Sequence, residues 1–128
     1  MKPGRELDRL VAEVMGYYNF SQPLGPDTQY FADHSKWNDD AIKCVPAFSV
    51  DMNAAMDAWE WLEQNNPWKE RDEDYLILFK WKGRSTVGRI FYAPSTDDYH
   101  LHTTPLVTGE SYPHAISLAV VEASKVKK

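Results

Sequence analysis

The sequence lacks the features that would identify an enzyme or a disulfide-stabilised protein. It contains a single cysteine, Cys44, so an internal disulfide and an all-cysteine metal site are excluded. We expect Cys44 to be a small, semi-buried hydrophobic residue. There is no glycine-rich phosphate loop, nucleophile elbow or zinc-protease motif, and no spacing of carboxylates singles out a catalytic pair. The sequence therefore predicts a protein that is not an enzyme and needs no cofactor.

Long apolar runs and an excess of positive charge are also missing. No stretch approaches the roughly 20 apolar residues that a membrane helix needs. The first residues, MKPGRELDRLV, contain no secretory apolar segment, so we expect the chain to stay in the cytoplasm of the cell that makes it and to have no membrane partner. The formal net charge of −5 argues against non-specific binding to nucleic acid, which is therefore not an expected partner.

The composition that remains is that of one globular domain. Apolar residues make up 43% of the 128 residues and charged residues 26%, a balance typical of a folded chain, so residues 1–128 are predicted to form a single domain. The first predicted helix is GRELDRLVAEVMG, residues 4–16, and Gly16 is expected to end it. Its apolar stripe is formed by Leu7, Leu10, Val11, Val14 and Met15.

The second predicted helix contains two tryptophans only two positions apart. It lies in SVDMNAAMDAWEWLEQNNP, residues 49–67, with Ser49 as the expected N-cap. Trp61 points about 200° away from Trp59 on a helix, so the two side chains need different neighbours. We expect Trp61 to contact the 17–45 segment in preference to a homo-oligomer interface. The predicted core stripe is Met52, Ala55, Met56, Trp59 and Leu62.

The third predicted helix is the most apolar of the three. It lies in ESYPHAISLAVVEASKVKK, residues 110–128, where Ser111 can cap it and Pro113 is tolerated in the first turn. Leu118 and Val121 extend the apolar surface around the helix, so we expect it to be well buried. Its main stripe is formed by Ala115, Ile116, Ala119, Val120 and Ala123.

A β-hairpin is predicted between the second and third helices. YLILFKW (75–81) and TVGRIFY (86–92) are rich in aromatic and β-branched residues, and a turn at Gly83-Arg84 would pair Trp81 with Thr86 and Phe79 with Gly88. Both faces of this hairpin are apolar, so helices are expected to cover both. Further strand candidates are YHLHT (99–103), TQYF (28–31) and AIKCV (41–45). The predicted fold is α/β (α+β), with three helices packed on both faces of a small, largely antiparallel sheet.

Three blocks of sequence carry a family resemblance. GRELDRLVAEVMG, VPAFSVDMNAAMDAWEWLEQ and YPHAISLAVVEA, in this order, resemble the phage ABA sandwich domain, a family of small phage and prophage proteins. Phe48 stands where the family usually has tyrosine. The resemblance implies an α/β/α arrangement with a central sheet, and a location in the cytoplasm of an infected bacterial host. It implies no catalytic residues.

The candidate site is a basic segment with interleaved aromatic residues. Residues 75–95 contain no Asp or Glu but four positive side chains, which leaves the rest of a chain of net charge −5 at −9. Guanidinium groups grip phosphate and aromatic rings stack on bases, so this pattern suits a nucleotide-like ligand. The alternative is a solvated edge hairpin, because lysine and arginine discourage edge-to-edge pairing. The candidate ligand-binding residues are Lys80, Arg84, Arg89, Trp81 and, from the polar loop HSKWND, Trp37.

Two functions from different classes fit these observations. In the first, the chain is a phage-encoded counter-defence sponge that sequesters a host signal of the cyclic-nucleotide or ADP-ribose type. Such a protein could act as a homo-oligomer. In the second, it is a protein–protein module: an inhibitor of a host protein or a minor structural or regulatory phage component. A weaker third hypothesis is a metal-dependent hydrolase through His100 and His102, with Asp97, Asp98, Asp33 or His34 as further ligands. Two strand histidines are more often polar surface, so no metal site is predicted.

Overall fold

The computed structural model describes residues 1–34, 43–70, 74–94 and 99–126. These residues form a mixed α+β fold of three helices and two antiparallel, three-stranded sheets. The helices are α1 (Arg5–Val14), α2 (Met52–Gln64) and α3 (Tyr112–Val126). The first sheet consists of β1 (Tyr17–Ser21), β2 (Phe31–His34) and β3 (Lys43–Cys44); the second consists of β4 (Tyr75–Trp81), β5 (Arg84–Pro94) and β6 (Tyr99–Gly109). Within these ranges, no helix has the length and apolar character that crossing a membrane requires.

Helix α3 lies at the centre of the fold, as its apolar circumference predicts. It contacts α1, α2, β5 and β6. The Ser111 hydroxyl accepts a hydrogen bond from the His114 amide at 3.2 Å, which confirms the predicted cap. The predicted stripe is confirmed, because each of its members is at most 1% exposed: Ala115, Ile116, Ala119, Val120 and Ala123.

The buried face of α2 is rotated from its predicted position. Ala55 and Leu62 are fully buried as expected, but Met52 and Met56 are 38% and 46% exposed, and Ala58 takes their place. Small side chains at 55 and 58 let α2 lie close to α3, which it contacts. Trp59 and Trp61 both pack against the core from the edges of this stripe, so neither tryptophan stands at its centre.

A buried polar junction joins the start of α1 to the segment before α2. The Ser49 hydroxyl and amide donate to the same Asp8 carboxylate oxygen at 2.6 and 2.7 Å, and the Gly4 amide donates to the Ser49 hydroxyl at 2.8 Å. Ser49 is therefore not the N-cap of α2; Asp51 is, accepting from the Asn53 amide at 2.9 Å. Asp8 and Ser49 are both buried, so their hydrogen bonds serve the fold.

The first sheet occupies the region with the weakest sequence pattern. Residues 31–34 and 43–44 form strands close to the segments TQYF and AIKCV, and β1 is an additional strand. Cys44 is exposed, so the expectation of a semi-buried residue is wrong. The reason is that β3 has only two residues, and the core position falls on the next residue, Val45, which is 1% exposed.

The second sheet contains the predicted hairpin with a different turn. Lys82 and Gly83, with φ of 52° and 80°, form a two-residue connection, so Trp81 pairs with Arg84 and Phe79 with Thr86. The predicted pairs, Trp81 with Thr86 and Phe79 with Gly88, are wrong by two positions along β5. A shift of two positions keeps each side chain on the same face of the sheet, so the predicted faces are retained.

One face of the second sheet packs against α3. Lys80 lies on this helix-facing side, and its ammonium is 5.0 Å from the ring centroid of Tyr112, the first residue of α3. A Cβ added to Gly109, which pairs with Ser85 on that side, would come within 2.7 Å of the Ala115 amide nitrogen. On the opposite, outer face, Tyr75 is 62% exposed. Helix packing on both faces of a sheet is therefore not confirmed.

Candidate binding surfaces

The hairpin tip brings one predicted tryptophan and one predicted arginine together. Trp81 and Arg84 are direct cross-strand partners, so their side chains leave the sheet on the same outer face. Trp81 is 43% exposed, and the ammonium of Lys82 lies 5.9 Å from its ring centroid. Neither Lys82 nor Arg84 forms an ion pair within the described part of the chain. We call Trp81, Lys82 and Arg84 the hairpin tip.

Lys80 is directed away from the hairpin tip. It pairs with Ser85, which places it on the helix-facing side, and its ammonium donates a hydrogen bond to the Ser85 hydroxyl at 2.9 Å. The same ammonium lies 5.0 Å from the Tyr112 ring centroid, within the range of a cation–π interaction. The structure therefore separates Lys80 from Trp81 and Arg84 by the thickness of the sheet.

Arg89 is engaged by acidic residues at the base of the hairpin. Its guanidinium lies 3.3 Å from a Glu70 carboxylate oxygen and 3.8 Å from an Asp74 oxygen, and donates to the Trp68 carbonyl at 3.3 Å. It also lies 4.4 Å from the Phe91 ring centroid. The Arg89 side chain is only 17% exposed and the Asp74 side chain 1%. Arg89 is thus held by its own chain, on the side opposite to Arg84.

Two of the sequence hypotheses fall partly outside the described residues. Trp37, the proposed second stacking surface, lies there, as do Asp97 and Asp98 of the metal hypothesis and the side chain of His100. His102 stacks on Phe91 with ring centroids 5.4 Å apart and an interplanar angle of 19°. Among the residues that the structure places, no group of three His, Cys, Asp or Glu side chains could hold a metal ion.

The outer face of the hairpin is an apolar surface with a cationic end. Tyr75, Ile77, Phe79 and Ile90 share this face with Trp81, because residues two apart on a strand point the same way. The Phe79 ring covers Gly88 so closely that a Cβ there would meet Phe79 Cε1 at 2.4 Å. Phe79 and Trp81 meet edge to face with ring centroids 6.4 Å apart. Phe79 and Trp81 therefore pack against each other on the outer face.

A pocket between α2 and the first sheet was missed by the sequence reasoning. Its volume is about 310 Å³, and one wall is a single flank of α2 that carries Asp57, Glu60, Trp61 and Gln64. The i, i+3, i+4, i+7 spacing of these four residues is the signal that places them on one helix face. The sequence prediction treated Trp61 only as a packing residue and therefore did not include the pocket. The opposite wall is formed by Met15, Tyr17 and His34.

Aromatic and histidine side chains hold the far wall of this pocket in place. Tyr17 contacts His34 edge to face with centroids 4.6 Å apart, and contacts the buried Phe48 ring at 6.2 Å. His34 Nε2 lies 3.2 Å from the Met15 carbonyl oxygen, which can only accept, so this hydrogen bond requires a proton on Nε2. Burial raises the pKa of the Tyr17 hydroxyl, and the negative charge of Asp57 raises it further. The two carboxylates of Asp57 and Glu60, with no Lys or Arg among the described lining residues, give the pocket a negative electrostatic character.

Comparison with known proteins assigns no family. No family model, no curated protein and no solved structure matches this chain. The resemblance to the phage ABA sandwich domain therefore stays a prediction, and any function has to be argued from the surfaces described above.

Proposed function

We propose that this protein is a non-enzymatic binding protein that captures a phosphate-bearing small molecule at its hairpin tip. The observation that carries this proposal is the exposed pairing of Trp81 with Arg84, with Lys82 beside the same ring. An indole face can stack on a nucleobase, while a guanidinium and an ammonium bind phosphate. The cross-strand pair and the neighbouring Lys82 could thus contact both the base and the phosphate of a nucleotide.

The surroundings of the four cations narrow the proposed ligand contacts. Arg89 is occupied by Glu70 and Asp74, and Lys80 by Ser85 and the Tyr112 ring. A new anion would have to displace these partners, whereas Arg84 and Lys82 have no carboxylate to give up among the described residues. Arg84, Lys82 and Trp81 are therefore the proposed contacts. If the chain has the phage origin that the resemblance implies, the ligand is a nucleotide-type immune signal in the infected host.

Calorimetry with matched ligands tests this proposal. Purified protein is titrated with cyclic nucleotides, cyclic dinucleotides and ADP-ribose-type molecules, and in parallel with the corresponding nucleosides, which lack phosphate. We expect at least one phosphorylated ligand to bind and its nucleoside to bind at least tenfold more weakly, because a charge-assisted hydrogen bond contributes about 1.5–3 kcal/mol. Equal affinity for a nucleotide and its nucleoside, or no binding by the panel, contradicts the proposal.

The apolar outer face supports a second candidate function, association with another protein molecule. Tyr75 is 62% exposed at the edge strand β4, next to Ile77, Phe79 and Trp81 on the same face. Exposed apolar patches with aromatic residues are characteristic of interfaces. An α/β/α sandwich would need a further layer over this face, and in this candidate function a second copy of the chain supplies that layer.

Sedimentation analysis separates the two candidates. We expect wild-type protein to form dimers as its concentration rises, and Tyr75→Glu to shift the equilibrium towards monomer while the far-UV circular dichroism spectrum stays unchanged. Met56→Glu, at an apolar position on α2 that is 46% exposed, is the control and should not affect association. Wild-type protein that remains monomeric at every concentration removes the second candidate and leaves ligand binding at the hairpin tip unaffected.

A further inference from the structure

We propose that the pocket between α2 and the first sheet is a binding site for an organic cation, a guanidinium or ammonium group. The pocket has a volume of about 310 Å³ and contains two carboxylates on one flank of α2, Asp57 and Glu60, three positions apart. None of its described lining residues is Lys or Arg. Nothing in this site depends on the hairpin tip, so the two proposals can fail independently.

Helix geometry adds to the negative potential of the pocket. Met15 is the C-cap of α1, and Gln64 is the last residue of α2, so the carboxyl-terminal ends of two helices meet the pocket. The last turn of each of these helices contains no basic residue. The negative end of a helix dipole favours a cation, and here no side chain of either last turn provides one.

The aromatic walls select an organic cation over a metal ion. Trp61 lines one side and Tyr17 the other, and an indole face is the best aromatic surface for a cation. A calcium ion takes roughly six to eight oxygen ligands, most of them from the protein, and the described lining residues include only two carboxylates. A planar guanidinium can stack on an indole and still donate to both carboxylates.

The pocket explains the position of Trp61 more fully than packing against the core does. Trp59 and Trp61 flank the buried stripe of α2 on opposite sides, and both pack partly against the core. Trp61 in addition forms a wall of the pocket beside Glu60 and Asp57. Trp61, the second tryptophan of AWEW, thus packs against the core along one edge of its ring and lines the proposed cation site along the other.

Calorimetry with a charged ligand and its neutral counterpart tests the inference. Nα-acetyl-arginine amide carries a guanidinium, and Nα-acetyl-citrulline amide replaces it with a neutral urea of nearly the same shape. We expect the arginine derivative to bind and the citrulline derivative to bind at least tenfold more weakly. Agmatine, titrated in parallel, distinguishes the sources: tighter binding of agmatine indicates a free small molecule, and tighter binding of the capped arginine indicates a side chain of a partner protein.

Variants of α2 connect the binding to the pocket. Asp57→Asn with Glu60→Gln removes two negative charges from the pocket and should weaken binding of the better cation at least tenfold. Glu63→Gln removes one negative charge from an exposed position of the same helix outside the pocket and should leave the affinity unchanged. Unaltered unfolding midpoints establish that the variants are folded. Binding of citrulline and arginine derivatives with equal affinity, equal effects of the Glu63 and Asp57/Glu60 variants, or no binding of any cation would overturn the proposal.

Discussion

The tip and the base of the β4–β5 hairpin carry the same kind of positive side chain in opposite surroundings. At the tip, Arg84 stands beside an exposed tryptophan and has no ion-pair partner among the described residues. At the base, Arg89 is enclosed by Glu70, Asp74 and the Phe91 ring, with 17% of its side chain exposed. Positive charge in this segment is thus divided into a part that is paired with acidic residues and a part that has no ion-pair partner among the described residues.

Among the variants that test the difference between tip and base, Asp74→Ala is expected to have the largest effect on stability. The Asp74 side chain is 1% exposed, pairs with Arg89 and accepts a hydrogen bond from the Glu70 amide at 2.9 Å. Asp74→Ala should lower the free energy of unfolding by about 3 kcal/mol, because it leaves the largely buried guanidinium of Arg89 with one carboxylate partner, the exposed Glu70. Urea unfolding measures this change. A loss below about 1 kcal/mol would mean that the base of the hairpin does not depend on the pair.

A double-mutant cycle tests whether Asp74 and Arg89 stabilise the fold as a pair. If Arg89 and Asp74 act as a pair, the loss caused by Asp74→Ala and Arg89→Ala together should be smaller than the sum of the separate losses by about 1–2 kcal/mol. The cycle with Arg84→Ala in place of Arg89→Ala is the control and should be additive. Additive losses in both cycles would contradict the difference between the two arginines.

Gly88→Ala tests the packing of the outer face and is expected to have an intermediate effect on stability. A Cβ at this position would meet Phe79 Cε1 at 2.4 Å and the Thr104 carbonyl oxygen at 2.8 Å. Gly88→Ala should therefore lower the free energy of unfolding by about 2 kcal/mol through overpacking. In a Phe79→Leu background the loss should decrease, since the contact with the ring edge is removed. A loss of the same size in both backgrounds would show that Phe79 does not limit this site.

Much of the fold could be predicted from the sequence because it depends on local patterns. The burial of α3 follows from its apolar circumference, and the faces of the hairpin follow from alternation, which a register error of two positions leaves intact. The turn at Lys82-Gly83 could not be fixed in this way, because it places a lysine at positive φ. The rotation of α2 was missed because methionine was weighted above alanine, whereas close packing on α3 favours Ala55 and Ala58.

The candidate site was less predictable because it depends on which distant residues meet. Nothing in the hairpin sequence indicates that Glu70 and Asp74 fold back onto Arg89 and not onto Arg84. The position of Lys82 beside Trp81 follows from the Lys82-Gly83 turn, which the sequence did not predict. The lining residues of the pocket at Trp61 come from the C-cap of α1 and from β1, β2 and α2, and no single segment contains residues of both walls.

Parallel measurements of stability and ligand affinity for Arg84→Ala and Arg89→Ala test the central claim most directly. The ligand is the phosphorylated molecule that binds best in calorimetry. We predict a crossed result: Arg84→Ala weakens binding at least tenfold and changes the free energy of unfolding by less than about 0.5 kcal/mol. Arg89→Ala lowers the free energy of unfolding by about 2 kcal/mol and, in the folded protein, leaves the affinity within about threefold of wild type. Loss of affinity in Arg89→Ala with wild-type affinity in Arg84→Ala would contradict the account.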